Sequence, residues 1–226
     1  MEDLNPIKLF LNRIYYYIFI ERFDKKLDIP FPENIKRWDL IQHLINKYNF
    51  SNYLEIGCDK DQCFSKISIK NKVGIDPVSG GNIRTTSDDF FLKNKDSFEI
   101  IFIDGLHHYE QATKDINNAL KILNNNGFIL VHDCLPRTLA HQAIPRYRGS
   151  WNGDVWKSIV QLRTRKDIET FTCQIDYGVG VIQKKPNNDI LAINISNFKN
   201  LKFKDYFYNF KSYMRIINFE TALKIF

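Results

Sequence analysis

The chain has 226 residues, 44% of them apolar and 26% charged, which fits one large globular domain with appendages and excludes a disordered or fibrous class. Its net charge of +6 arises from lysines and arginines scattered among acids, so no nucleic-acid partner is indicated. The four cysteines, Cys58, Cys63, Cys134 and Cys173, form no CxxC pair and read as free thiols in a reducing cytoplasm, and neither a signal-peptide pattern nor an apolar run of transmembrane length is present.

Residues 6–22 are expected to be helical. Asn5-Pro6 is a start signal, and Leu9, Phe10, Arg13, Tyr17 and Ile20 recur one turn apart as a face for the core or a second subunit. "DIPFPEN" (28–34) punctuates the chain before a second amphipathic helix, 36–48, carrying Leu40, Ile41, Leu44 and Ile45. Short apolar runs follow: "YLEIG" (53–57), "KVGID" (72–76), "EIIFID" (99–104) and "GFILVHD" (127–133). Uninterrupted apolar strands of this length suit a parallel sheet covered on both faces.

Between the last two runs a helix over 109–123 places Ala112, Ile116, Ala119, Leu120 and Leu123 on one stripe, with Gly127 of "NNNG" as its cap. A further helix, 153–163, precedes "ETFTCQI" (169–175) and "VGVIQKK" (179–185). The "DYG" between these two strands predicts an antiparallel hairpin. The alternation as a whole predicts a doubly wound α/β fold whose ligands sit beyond the carboxyl ends of the strands. Residues 1–50 are then a helical cap or dimerisation segment, 51–185 the core, and 186–226 an aromatic- and lysine-rich appendage without a chemical motif.

Glu55-Ile56-Gly57 ends the first strand and Asp76 the second, at the place where an acid accepts from ribose hydroxyls. A dinucleotide site would need G-x-G-x-x-G, whereas Cys58, Asp59, Lys60 and Asp61 follow Gly57, and two carboxylates there repel a pyrophosphate. S-adenosylmethionine has a ribose and no phosphate. Its sulfonium and amino cations make Glu55 and Asp104 favourable neighbours.

The stretches "YLEIG", "VGIDP", "TSDDFF", "IFIDGLHHYEQATKDINNALKILNNNGFILVHDC" and "WNGDVWKSIVQLR" resemble the class I S-adenosylmethionine-dependent methyltransferases, in the branch with a D-G-x-H-x-Y-E motif. The resemblance covers residues 50–185. It implies a Rossmann-like, seven-stranded, mostly parallel sheet with an antiparallel final hairpin and helices on both faces. It also implies Glu55 and Gly57 at the methionine end of the cofactor, Asp76 at the ribose, and Ser87 with Asp88 near the adenine. Asp59 and Asp61 stand where relatives often have glycines.

In this topology the strands ending at Asp104 and Asp133 are neighbours, about 4.8 Å apart. Their carboxylates would converge as a divalent-metal site that lowers the pKa of a substrate hydroxyl, as in some O-methyltransferases the chain resembles. His132 is a further candidate ligand, and a nitrogen donor favours manganese or iron over magnesium. The metal-free alternative makes His107 the general base, with Asp104 serving both cofactor and chemistry.

Residues 134–154 should lie over the acceptor side and carry Arg137, His141, Arg146 and Arg148. Arg146, Arg148 and Trp151 are the substrate candidates, since arginines fork onto anions and tryptophan stacks on sugars. The expected function is O-methylation of a small polar or anionic acceptor such as a sugar or sugar nucleotide. The alternatives are an RNA methyltransferase, which the basic balance favours but for which no RNA-binding module is recognisable, and a non-catalytic cofactor-binding or assembly protein.

Overall fold

The apolar runs become the middle of an eight-stranded sheet in a computed structural model that describes residues 5–226. The strands are β1 (Asn52–Ile56), β2 (Asn71–Asp76), β3 (Ile83–Arg84), β4 (Phe98–Ile103), β5 (Leu123–Val131), β6 (Glu169–Cys173), β7 (Val179–Gln183) and β8 (Ile216–Ile217). Their order is β3-β2-β1-β4-β5-β7-β6-β8. Strands β1 to β5 pair in parallel, β7 runs antiparallel to both β5 and β6, and β8 lies parallel to β6. The expected fold class and final hairpin are therefore present, and the two-residue β8 adds an edge to the expected seven strands.

The helices are α1 (Pro6–Tyr15), α2 (Arg37–Tyr48), α3 (Ser87–Lys93), α4 (Tyr109–Ile122), α5 (Leu139–Gln142), α6 (Trp156–Arg163), α7 (Phe203–Met214) and α8 (Phe219–Ile225). Alternation along each strand feeds two cores. Ile101 and Ile103 of β4 pack with Ile116, Trp156, Ile159 and Tyr206 on one face, while Ile100 and Phe102 pack with Leu40, Leu44 and Phe128 on the other. Residues beyond 186 build into the first face: Phe203, Tyr206 and Met214 are fully buried, and the Tyr206 ring lies 4.8 Å from that of Trp156. Phe203 and Met214 each contribute about 1.5–3 kcal/mol by leaving water. No described helix is long and apolar enough to cross a membrane.

Two sequence expectations are corrected. The first helix stops at Tyr15 and widens into a π-turn, Tyr16–Ile20, closed by Glu21 N–H to the Tyr16 carbonyl. Phe10 and Tyr17, expected to face the core or a second subunit, are 62% and 48% exposed, so they do not pack on the core. The side that meets the protein carries Asn12, whose Nδ2 donates to the Arg146 carbonyl, and Tyr16, whose hydroxyl accepts from Gln142. The second correction concerns Gly127. Helix α4 ends at Ile122 and passes straight into β5, so Gly127 is a strand residue lying against the Glu99 carbonyl rather than a helix cap. The asparagines before it coincide with a register shift between β4 and β5, as expected of a bulge.

The chain turns one way from β1 to β2 and the other way to β4. The resulting crevice lies at the carboxyl ends of those strands.

Candidate active site

Gly57 ends β1 where the chain must pass the end of β4. Its φ of +87° lies in the left-handed region, and a Cβ there would overlap the backbone carbonyl of Asp104. This close approach opens one cleft of ≈ 930 Å³, lined by Glu55, Gly57, Asp76, Ser87, Asp88 and Asp104, all the residues that the sequence reading assigned to a cofactor. Small-molecule sites span about 300–1,000 Å³, so this one has room for a nucleoside-sized ligand and an acceptor. The acidic lining suits a cationic ligand and opposes a pyrophosphate.

Glu55 lies at the floor of the cleft. Burial, opposed by a hydrogen bond from the Tyr53 hydroxyl, lifts its carboxyl to about 7. Asp76 Oδ1 accepts from the backbone N–H groups of Val78 at 2.7 Å and Ser79 at 2.9 Å, and Oδ2 accepts from that of Asp59 at 3.1 Å. Oδ2 keeps capacity for another donor, as a ribose contact requires. Asp59 and Asp61 have φ of +44° and +59°, the conformation usually left to glycine. The room comes from the facing loop, where Gly81 N–H donates to Asp61 Oδ1 at 2.7 Å and a Cβ at Gly80 would overlap the Asp59 carbonyl. The glycines that the first turn lacks are thus supplied across the cleft edge. Ser87 opens α3 and its Oγ lies 3.2 Å from Gln111 Nε2, while Asp88 pairs with Lys114 at 2.6 Å.

Asp104 is the hub of a polar cluster at the ends of β4 and β5. Its Oδ1 lies 3.1 Å from His132 Nδ1 and 3.3 Å from His107 Nε2, and its Oδ2 lies 3.6 Å from Arg37 Nε. His132 Nε2 meets the Asp176 carbonyl at 2.7 Å, and Arg37 Nη1 meets Asp176 Oδ2 at 2.7 Å. A carbonyl and an ionised carboxylate only accept, so both His132 nitrogens carry protons and the ring is an imidazolium. Burial alone would lower the His132 pKa, but Asp104 and Asp133 reverse this and hold it well above its ordinary value. Burial likewise opposes ionisation of Asp104, and His132, His107 and Arg37 outweigh it, holding that carboxyl well below its ordinary range.

With both nitrogens occupied, His132 is not the ligand that its place beside Asp133 suggests. His107 takes that position instead. Its Nδ1 lies 3.3 Å from Asp133 Oδ2 without hydrogen-bond alignment, leaving a buried nitrogen unpartnered. Burial would lower the His107 pKa, but Asp133 and Asp104 raise it. Asp104, His107 and Asp133 each offer an atom within 4.8 Å of the others, a spacing and donor set that fit one divalent cation with a nitrogen ligand.

Arg37 and Asp176 were read only as a helix residue and a turn residue. One signal was visible: a cation in the first turn of α2 opposes the helix dipole, so Arg37 needs acids in space, and Asp104 and Asp176 provide them. The 134–154 loop closes the site from above. The Trp151 ring stacks on His107 with centroids 5.3 Å apart, and Asn152 Nδ2 donates to Asp133 Oδ1 at 2.7 Å. Arg146 lies over Trp151 at 5.4 Å and donates to the carbonyls of Arg148 and Gly149. Arg146 and Trp151 line the cleft, whereas Arg148 stands exposed beside it.

Residues 75–134, from the end of β2 to just beyond β5, match the family model of a methyltransferase domain. No curated protein matches the chain. Among solved structures, SAH-bound methyltransferase PaMTH1 from Podospora anserina aligns with a TM-score of 0.51 at 14% identity, covering 82% of this chain and 98% of that one. Cofactor-bound Rv0187 from MTB gives 0.50 at 12% identity, covering 82% and 100%. The O-methyltransferase from Bacillus cereus in complex with SAH gives 0.49 at 10%, covering 81% and 92%. At these identities the likeness to the first two establishes the fold. The segment that matches the methyltransferase-domain model supplies the strand ends around the acidic cleft, on a sheet with the fold of these methyltransferase structures.

Proposed function

We propose that the protein methylates a hydroxyl oxygen of a small polar or anionic acceptor such as a sugar or sugar nucleotide, with His107 taking the hydroxyl proton. The observation that carries this reading is the place of His107, between Asp104 and Asp133 at the mouth of the cleft and beneath Trp151. When bound, S-adenosylmethionine supplies an electrophilic methyl group. The chain's own residues hold and ready the acceptor. Asp104 and Asp133 stabilise the proton on His107 after transfer, Asn152 orients Asp133, and Trp151 keeps water from the imidazole. Arg37 and His132 offset the buried carboxylates of Asp104 and Asp176.

The carboxylate–histidine spacing supports a second reading, in which Asp104, His107 and Asp133 hold a divalent cation of the manganese or iron type that would supply Lewis acidity at the same oxygen. An assay of His107→Ala and Asp133→Ala, with and without a chelator, separates the two. The base reading expects a loss of about 10²–10⁴-fold in His107→Ala with no effect of the chelator on wild type. Loss of wild-type activity on chelation supports the metal. Full activity in both variants removes both readings. We place the protein in the cytoplasm, where its four free, buried thiols stay reduced, and we propose that it pairs with a second copy through the outer face of α1.

A further inference from the structure

A set of basic side chains lies beside the cleft. The chain leaving Asp133 carries Arg137 and then His141, Arg148 follows on the next loop, and Lys26 comes from the segment whose Leu27 N–H donates to the Arg137 carbonyl at 2.9 Å. Among the described residues, Lys26, Arg137 and Arg148 make no ion pair. The Arg137 guanidinium lies 4.9 Å from the Phe31 ring and 5.8 Å from the Tyr177 ring, and its Nε is buried without a partner. His141 Nδ1 is also buried and unpartnered. Burial, then Arg148, Arg137 and Lys26, lower the His141 pKa, so these charges bear on one place.

That place is fastened to the reacting cluster. The His141 carbonyl accepts from Asn152 N–H at 2.7 Å and from Gly153 N–H at 3.1 Å, and Asn152 in turn holds Asp133. Tyr177, against which Arg137 packs, lines the cleft. A guanidinium held by its faces keeps its N–H edges for a planar oxyanion, and like charges that make no ion pair repel until an anion joins them.

We infer that Arg137, His141 and Arg148, with Lys26 at the rim, form an oxyanion subsite that binds a phosphate or carboxylate of the acceptor and so sets its hydroxyl at Asp104, His107 and Asp133. The role of acceptor anchor rests on the proposed methyl transfer; the affinity for an oxyanion does not. Arg146 is outside the subsite, because its guanidinium bonds the loop's own carbonyls.

Calorimetric titration with glucose 1-phosphate, glucuronate and glucose, in the presence and absence of S-adenosylhomocysteine, tests the assignment. At least one charged probe should bind about tenfold or more tightly than glucose, and comparison of the two charged probes identifies the preferred anion. Arg137→Gln and Arg148→Gln should each weaken the charged probe by about tenfold, with S-adenosylhomocysteine affinity and thermal transition unchanged, and Arg137→Lys should restore only part. Charged and neutral sugars binding alike, no binding of either charged probe, or variants that bind as wild type would overturn the subsite. If the charged probes bind through these arginines but S-adenosylhomocysteine does not, the subsite stands and the methyl-transfer reading falls. If only S-adenosylhomocysteine binds, the reverse holds.

Discussion

Asp115 shows how one buried carboxyl on the helix after Asp104 ties stability to pH. It is 1% exposed, accepts from Gln111 Nε2 at 3.0 Å, and burial lifts its pKa from 3.8 to about 6. A group that holds its proton more tightly folded than unfolded stabilises the fold below the unfolded value, and that contribution is lost as pH rises through the folded value. The loss amounts to roughly 3 kcal/mol by neutral pH. Asp115→Asn should therefore be the more stable form by up to about 3 kcal/mol near pH 8, with the difference vanishing near pH 4. Urea unfolding at the two pH values measures it, and an equal difference at both would exclude the titration. Gly57→Ala should destabilise by about 1–3 kcal/mol and abolish S-adenosylhomocysteine binding, since the new methyl meets the backbone of Asp104 and Gly105 rather than a side chain that can move. Retained binding in calorimetry would show that the β1–β4 approach does not shape the cleft. At this scale the acids at the strand ends were legible, because a strand end is a position that sequence defines. Arg37, Asp176 and Asn152 were not, because each is made functional by a partner far along the chain.

Among the elements, the N-terminal helical segment and α5 act as one clamp on the 134–154 loop. The Tyr16 hydroxyl in the π-turn accepts from Gln142, and Gln142 Oε1 accepts from the Trp156 indole at 3.2 Å, so the N-terminal segment, α5 and the core share a buried chain of hydrogen bonds. Tyr16→Phe leaves the Gln142 amide unpaired. It should lower stability by about 1–3 kcal/mol, and by loosening the 134–154 loop raise the KM for the acceptor while leaving the affinity for S-adenosylhomocysteine unchanged. Unfolding and steady-state kinetics read these separately; unchanged stability and KM would show that the clamp carries nothing. Periodicity located the helix but left open whether its face meets the core or a second subunit, for a definable reason. Apolar residues occupy both sides of α1, and a hydrophobic repeat cannot rank two apolar faces. The polar pair Asn12 and Tyr16, bonded to the loop, decides between them.

At the scale of the molecule, the doubly wound sheet was readable because continuous apolar strands and a turn with Asp176, Tyr177 and Gly178 all at positive φ leave few alternatives. The edge strand β8 was not, since two isoleucines in an aromatic tail carry no periodicity. The outward face of α1 remains to be accounted for. Ile7, Leu11, Ile14 and Ile18 stand at i, i+4, i+7 and i+11, flanked by Phe10, Tyr15, Tyr17 and Phe19, and all eight are exposed. Monomeric proteins rarely show such a contiguous patch, and the spacing is that of a helix-pairing seam. A second copy across a two-fold axis would meet it with the same stripe. Light scattering should accordingly give the mass of a dimer, and Leu11→Asp with Ile14→Asp that of a monomer; a monomeric wild-type protein at micromolar concentration would refute the pairing. Because the inner side of the same helix holds Gln142 and the Arg146 carbonyl, the monomeric variant should also bind the acceptor more weakly than the dimer does. Its S-adenosylhomocysteine affinity should not change, since α1 supplies no residue to that cleft.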